Sequence, residues 1–178
     1  MSVDIESYLS AVVAAVKDHF GGRLAVVGGY DEIADDGVID SPAVLIGIEG
    51  FSEGSDRGDD RVPLKCQVSA QCILSVKTEN VQVQVRAFAA EFLSVIRRNK
   101  FDFGVDVSFP EGLDARPGVL RPGDNGYDSF EVTWDQELYL GESVWDGSGV
   151  VPTEVWVSQN PEIGLAHEPD YENVAADS

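Results

Sequence analysis

From Leu64 to Cys72 an apolar side chain stands at every second position: Leu64, Cys66, Val68, Ala70 and Cys72 alternate with Lys65, Gln67, Ser69 and Gln71. A repeat of two residues belongs to a β-strand, whose successive side chains point to opposite faces. Leu64–Val76 is therefore read as a long strand with one packed face. The other face is wet or meets a neighbour. At Ile73 and Leu74 both sides turn apolar, which predicts deeper burial at that end. A second alternation runs from Ser129 to Leu140. Phe130, Val132, Trp134, Leu138 and Leu140 share one side, with Gln136 the one polar interruption. Glu131, Thr133, Asp135 and Glu137 share the other. Two such strands require a sheet with a single greasy face, and something must cover it.

Two helical stripes supply the cover. Over Val3–Phe20, Ile5, Leu9, Val12, Val13 and Val16 recur at helical spacing, with Ser2 or Asp4 as cap and Gly21–Gly22 as the stop. Over Thr78–Arg98, Val81, Val85, Phe88, Phe92, Val95 and Ile96 form one stripe. Thr78 is placed to cap it, and Arg97, Arg98 and Lys100 sit where the helix dipole favours cations. Val81, Val83 and Val85 also alternate, but the stripe after Arg86 favours helix. Shorter apolar runs predict strands at Arg23–Val27, Ala43–Glu49 and Phe103–Val107. Loops are expected at Gly28–Ser41, at Gly50–Arg61 and, from its prolines and glycines, over Pro110–Gly126. The fold class is then α+β: a mostly antiparallel sheet, two main helices on one face, and an extended C-terminal arm. Residues 1–142 form the domain and 143–178 the acidic arm, with a further short strand at Val155–Val157 and prolines at 152, 161 and 169.

Charge narrows the function. The 178 residues carry a formal charge of −20, and the sequence pI is about 4.1. Thirteen carboxylates and no Lys or Arg follow Arg121. Such a field repels nucleic acid and anionic lipid, whose binding needs Lys and Arg on phosphates. DNA that slides past without sticking remains compatible. The run Leu9–Val16 is short and preceded by Asp4 and Glu6, so no secretion signal is expected, and no segment has the roughly 20 apolar residues of a membrane helix. Cys66 and Cys72 lie about 20 Å apart on one strand, too far to bridge. Two buried free thiols in a reducing compartment are expected.

Candidate sites are few. His19 and His167 fit no metal spacing. Gly147-Ser148-Gly149 lacks the frame of a nucleophile turn. The loop Glu53–Asp60 has carboxylates without the order of a calcium loop, and Arg57-Gly58-Asp59 reads as a coincidental integrin-type tripeptide. Gly28-Gly29 lacks the third glycine and following helix of a phosphate loop. No catalytic, metal or cofactor residue is expected. Trp145, Trp156 and Tyr171 are the candidate interface residues, because aromatics outside regular elements anchor protein contacts. The alternative, that the arm folds back and buries its tryptophans, weighs about equally.

The segment from Phe130 to Glu142, Phe-Glu-Val-Thr-Trp-Asp-Gln-Glu-Leu-Tyr-Leu-Gly-Glu, resembles the C-terminal strand of the tail terminator proteins of long-tailed bacteriophages. Pro161–Tyr171 is similar to stretches of phage tail-completion proteins, and the element order over roughly residues 3–142 agrees. The resemblance implies a non-enzymatic virion protein without cofactor, assembled in the host cytoplasm. It would form a ring, usually of six copies, that caps the tail tube, ends tail growth and joins tail to head. Its partners would be itself, the tail tube protein and head–tail connector proteins, with DNA only as passing cargo and no membrane. Six copies at −20 would carry −120, so assembly must come from apolar area and strand pairing. Pairing between the long strands of adjacent subunits is one route. Other neck proteins, an acidic adaptor or DNA mimic, and a metal-dependent hydrolase are the alternatives.

Overall fold

The computed structural model describes residues 3–29, 38–119, 126–144, 156–159, 161 and 163–173. The chain divides into two units, Met1–Val144 and Trp145–Ser178. The first is an α+β domain with helices α1 (Ile5–Phe20) and α2 (Val81–Ile96) and strands β1 (Val26–Gly28), β2 (Ala43–Glu53), β3 (Val62–Ser75), β4 (Glu111–Pro117) and β5 (Tyr127–Leu140). The sheet order is β1-β2-β3-β5-β4. Only β1 runs parallel to its neighbour, and the other pairings are antiparallel.

The two alternating strands form the centre of this sheet. Val68 pairs with Trp134, Ala70 with Val132 and Cys66 with Gln136. Cys66, Val68, Ala70, Val132 and Trp134, with Val44 and Ile46 of β2, build the main core with both helices. Helix α1 begins at a capping box: the Asp4 carboxylate accepts from Ser7 N at 2.7 Å, and Ser7 Oγ accepts from Asp4 N at 3.0 Å. Gly21, at φ 57°, stops it. Its buried line is Tyr8, Val12, Val16 and Phe20. Leu9 and Val13 of the expected stripe are half-buried at its margin. From α2 the sheet receives Val85, Ala89, Phe92 and Ile96. A smaller apolar cluster of Ile39, Ala43, Leu45 and Ile73 occupies one end of the opposite face. Cys66 and Cys72 are buried free thiols.

Several expectations are corrected. Thr78 does not cap α2: its N–H closes a turn onto Ser75 O at 2.9 Å, and Asn80 precedes the helix in a left-handed conformation that Asn tolerates. Phe103–Val107 is not a strand. Consecutive turns, Phe103 N to Lys100 O and Asp106 N to Phe103 O, carry the chain instead, and Val107 makes a single bridge to Leu138. Part of the expected loop after Pro110 is β4, an edge strand. An edge position tolerates Pro117, and Gly112, at φ 58°, sits where the pairing with β5 shifts register. Residues Gly50–Glu53, expected in a loop, extend β2 opposite Leu64–Gln67. The second face of β3 is wet only in part. Gln67 is exposed, whereas Ser69 and Gln71 are buried.

The long strands are not edges. β3 is flanked by β2 and β5, and β5 by β3 and β4, so pairing between copies cannot use them. Among the described residues, the outer side of β4 and the distal half of β2 have no strand beside them. Among the described residues β1 covers only Ala43–Leu45 of that strand.

Gly118 follows β4 and lies against the second face. A Cβ there would stand 2.2 Å from Ser129 Oγ and 2.4 Å from Gln71 Oε1. Both side chains are buried and have little room to retreat. Gly118→Ala is expected to destabilise the domain by about 1–3 kcal/mol, through overpacking. Urea unfolding reads this, and a variant as stable as wild type would show that the Gln71 and Ser129 side chains swing clear.

The second unit, where described, holds a two-residue ribbon, β6 (Trp156–Val157) with β7 (Glu172–Asn173), and a short 3-10 turn at Leu165–Asp170. No helix among the described residues is long and apolar enough to cross a membrane.

Candidate functional site

Two constellations stand out. The first is a polar network at the root of the loop between β2 and β3. Arg61 is 9% exposed and Asp59 5%. The Arg61 guanidinium donates to Asp59 Oδ2 through Nε at 2.9 Å and Nη2 at 2.6 Å, and to Asp106 Oδ1 through Nη1 at 2.5 Å. Arg57 lies over the Tyr139 ring, 3.4 Å from its centroid, and donates to Val105 O at 2.6 Å. Tyr139 Oη donates to Glu137 Oε2 at 2.6 Å, and Glu137 Oε1 accepts from Ser55 N and Oγ. The loop is thereby fastened at three points to the end of β5 and to the turn at 105–106.

The ionisation states follow from these partners. Hydrogen bonds from the Arg61 side chain hold the Asp59 carboxyl below its ordinary value. Those from Tyr139 and Ser55 do the same for Glu137. The Arg61 guanidinium is raised, chiefly by Asp59. Burial pushes the Cys66 thiol up to about 11 and Cys72 higher still, so both stay protonated and are poor nucleophiles.

A pH dependence follows. The folded pKa of Glu137 lies below the unfolded value of 4.5. Its stabilising contribution is therefore complete above that value and is lost as pH falls through the folded pKa. Glu137→Gln is expected to be less stable than wild type at pH 7, with the difference shrinking as pH falls below 4.5 and through the lower folded pKa. Thermal unfolding of the pair across pH 3–7 checks this. A difference independent of pH would mean that the charge of Glu137 contributes nothing.

Three further Lys and Arg side chains are paired with carboxylates. Arg23 bonds Glu91 at 2.6 Å, beside His19 on the same carboxylate. Lys65 meets Asp135 at 3.1 Å, and Arg116 meets Glu131 at 2.6 Å. His167 contacts Asp170 in the second unit. The carboxylates of the loop Glu53–Asp60 do not converge: Asp59 is taken by Arg61, and Asp56 accepts from Gly58 N. Among the described residues no group of three or more His, Cys, Asp or Glu is placed to hold a metal ion. Asp59 of the Arg57-Gly58-Asp59 tripeptide is buried, so the tripeptide is not presented to solvent.

The second constellation contains two of the three candidate interface residues. Trp156 and Tyr171 line one concavity of about 480 Å³ with Gly164, Leu165 and Glu168. Trp156 is 54% exposed, and Tyr171 Oη accepts from Gly164 N at 2.9 Å. Trp145 lies outside the described residues. Leu165, 94% exposed, and Ile163, 55%, were not singled out from the sequence. Neither belongs to a periodic pattern, and their exposure depends on the ribbon and the 3-10 turn. Gln136 was also missed as a keystone, since a lone polar residue in an apolar face carries no sign of its partners.

Comparison of this chain with models of known protein families and with characterised protein sequences found no match.

Proposed function

We propose that this chain is a phage tail terminator: a virion structural protein that caps the tail tube as a ring, ends tail growth and joins tail to head. The observation that carries the reading is the state of its charges. In a chain of −20, Arg23, Arg61, Lys65 and Arg116 are bound to the chain's own carboxylates. What remains on the surface is mostly negative, as suits a passage through which DNA slides. The β5 segment that resembles the terminator family is a full central strand. The outer sides of β2 and β4, without a neighbouring strand among the described residues, supply the backbone donors and acceptors that strand pairing between subunits requires. Ring closure through these two unlike edges is a heterologous contact.

Particles assembled without this protein test the reading. Tails longer than normal are the expected result. Tails of normal length lacking heads would point to a joining role alone, and intact infectious particles would sink the assignment.

A further inference from the structure

The second unit has no buried residue among those described. Yet it exposes Leu165, Ile163 and Val157 together with half of Trp156. The ribbon and the 3-10 turn that the described residues form are marginal alone in water, so this apolar surface calls for a cover. The cover must tolerate charge of one sign: residues 145–178 contain seven carboxylates and no Lys or Arg.

The first unit offers a surface of the opposite character. Past the end of α2, Arg97 and Arg98 are exposed and Lys100 is half-exposed. Lys100 Nζ sits 4.6 Å from the ring centroid of Phe109, which is itself 54% exposed, and Val105 is 67% exposed. Of the two acids in this corner, Asp106 is taken by Arg61, which leaves Asp102. Lys100 beside an exposed phenyl ring, with Arg97 and Arg98 three and two residues before it on the chain and an exposed valine at 105, makes this segment the basic, apolar counterpart of the acidic, apolar second unit.

We infer that the second unit of one copy docks on the 97–109 corner of another, with Leu165 and Trp156 against Phe109 and Val105. Glu168 and Asp170 then face Arg97 and Arg98. Apolar area supplies affinity, while the charges fix orientation and reject the acidic remainder of the surface. The contact deepens the ring reading by naming a strap between subunits. It can fail without that reading failing.

Sedimentation velocity on the full chain tests it. Wild type is expected to self-associate, with an association that weakens as salt rises. Arg97→Glu with Arg98→Glu, or Glu168→Lys with Asp170→Lys, is expected to weaken it by roughly tenfold or more. An equimolar mixture of the two charge-reversed proteins should restore it, because every contact between unlike copies then joins opposite charges. Phe109→Cys and Leu165→Cys proteins, mixed and oxidised, should form a cross-linked pair, since Cys66 and Cys72 are buried. A wild-type chain that stays monomeric overturns the contact. So does an oligomer indifferent to both charge reversals, which would leave a ring closed through the strand edges standing. A disulfide that forms only within one chain carrying both cysteines, and never between chains, would place the cover on the same molecule and overturn exchange between copies.

Discussion

Gln136→Leu is expected to lower the unfolding free energy by about 3–5 kcal/mol, an unusually large effect for one side chain of similar volume. Gln136 stands in the middle of the apolar face of β5 and is 1% exposed. Its Oε1 accepts from Tyr8 Oη at 2.7 Å and from Trp134 Nε1 at 3.3 Å. Its Nε2 donates to Asn99 O at 3.0 Å and Ser108 O at 2.8 Å. One amide thus joins α1, β5, the turn after α2 and the segment before β4. Leucine would fill the space and gain apolar burial. It would also take the acceptor from the phenol and a donor from each of two carbonyls, while the Trp134 indole keeps Tyr8 Oη at 3.3 Å, and an unpaired buried polar group costs about 1–3 kcal/mol. The losses outweigh the gain. Tyr8→Phe removes the donation to Gln136 Oε1 and a longer contact in which Tyr8 Oη accepts from Trp134 Nε1 at 3.3 Å, and is expected to cost about 1–2 kcal/mol. Added to Gln136→Leu it should cost less than the sum, since both act on one network. A Gln136→Leu protein within about 1 kcal/mol of wild type in urea would show that water satisfies the orphaned groups.

Phe92→Ala carries the second large effect, about 3–5 kcal/mol from lost transfer energy and the cavity left behind. Phe92 is fully buried on α2, and its ring centroid lies 6.2 Å from that of Trp134, tilted by 50°. Phe20 with Phe88 and Tyr8 with Phe101 form edge-to-face pairs elsewhere in the same core, and a close-packed core leaves neighbours little freedom to collapse inward. The urea midpoint should fall with the slope of the transition unchanged. A lower slope would mean that α2 detaches while the sheet persists, and the domain would not unfold as one unit.

The core of this fold was legible because its signals are periodic. The alternation of Leu64–Cys72 and Phe130–Leu140 follows from the pleat of a strand whatever lies beside it. The stripe Val85, Phe92, Ile96 follows from 3.6 residues per turn, and the capping role of Asp4 from four adjacent residues. Where expectation failed, the deciding partner was distant in sequence. Glu111–Pro117 has the composition of a loop. It is a strand because β5 offers a free edge, and an edge forgives proline and a glycine bulge. Thr78 has the chemistry of a helix cap but is held in a turn by Ser75. Tyr8 lay outside the expected stripe of α1, and its place beside Gln136 was set by β5.

Periodicity and composition alone account for the α+β class, the two long strands, the two covering helices, the free buried thiols and the excess of negative charge. Each is local in the chain or a sum over it. It takes the folded chain to show which strand edges have no neighbour among the described residues and that Arg61 is bound by Asp59 and Asp106. The folded chain likewise shows that Gln136 is a keystone and that Phe109 and Leu165 face solvent. Those properties depend on which residues the sheet brings side by side, and pairing across a sheet joins positions that no spacing along the chain relates.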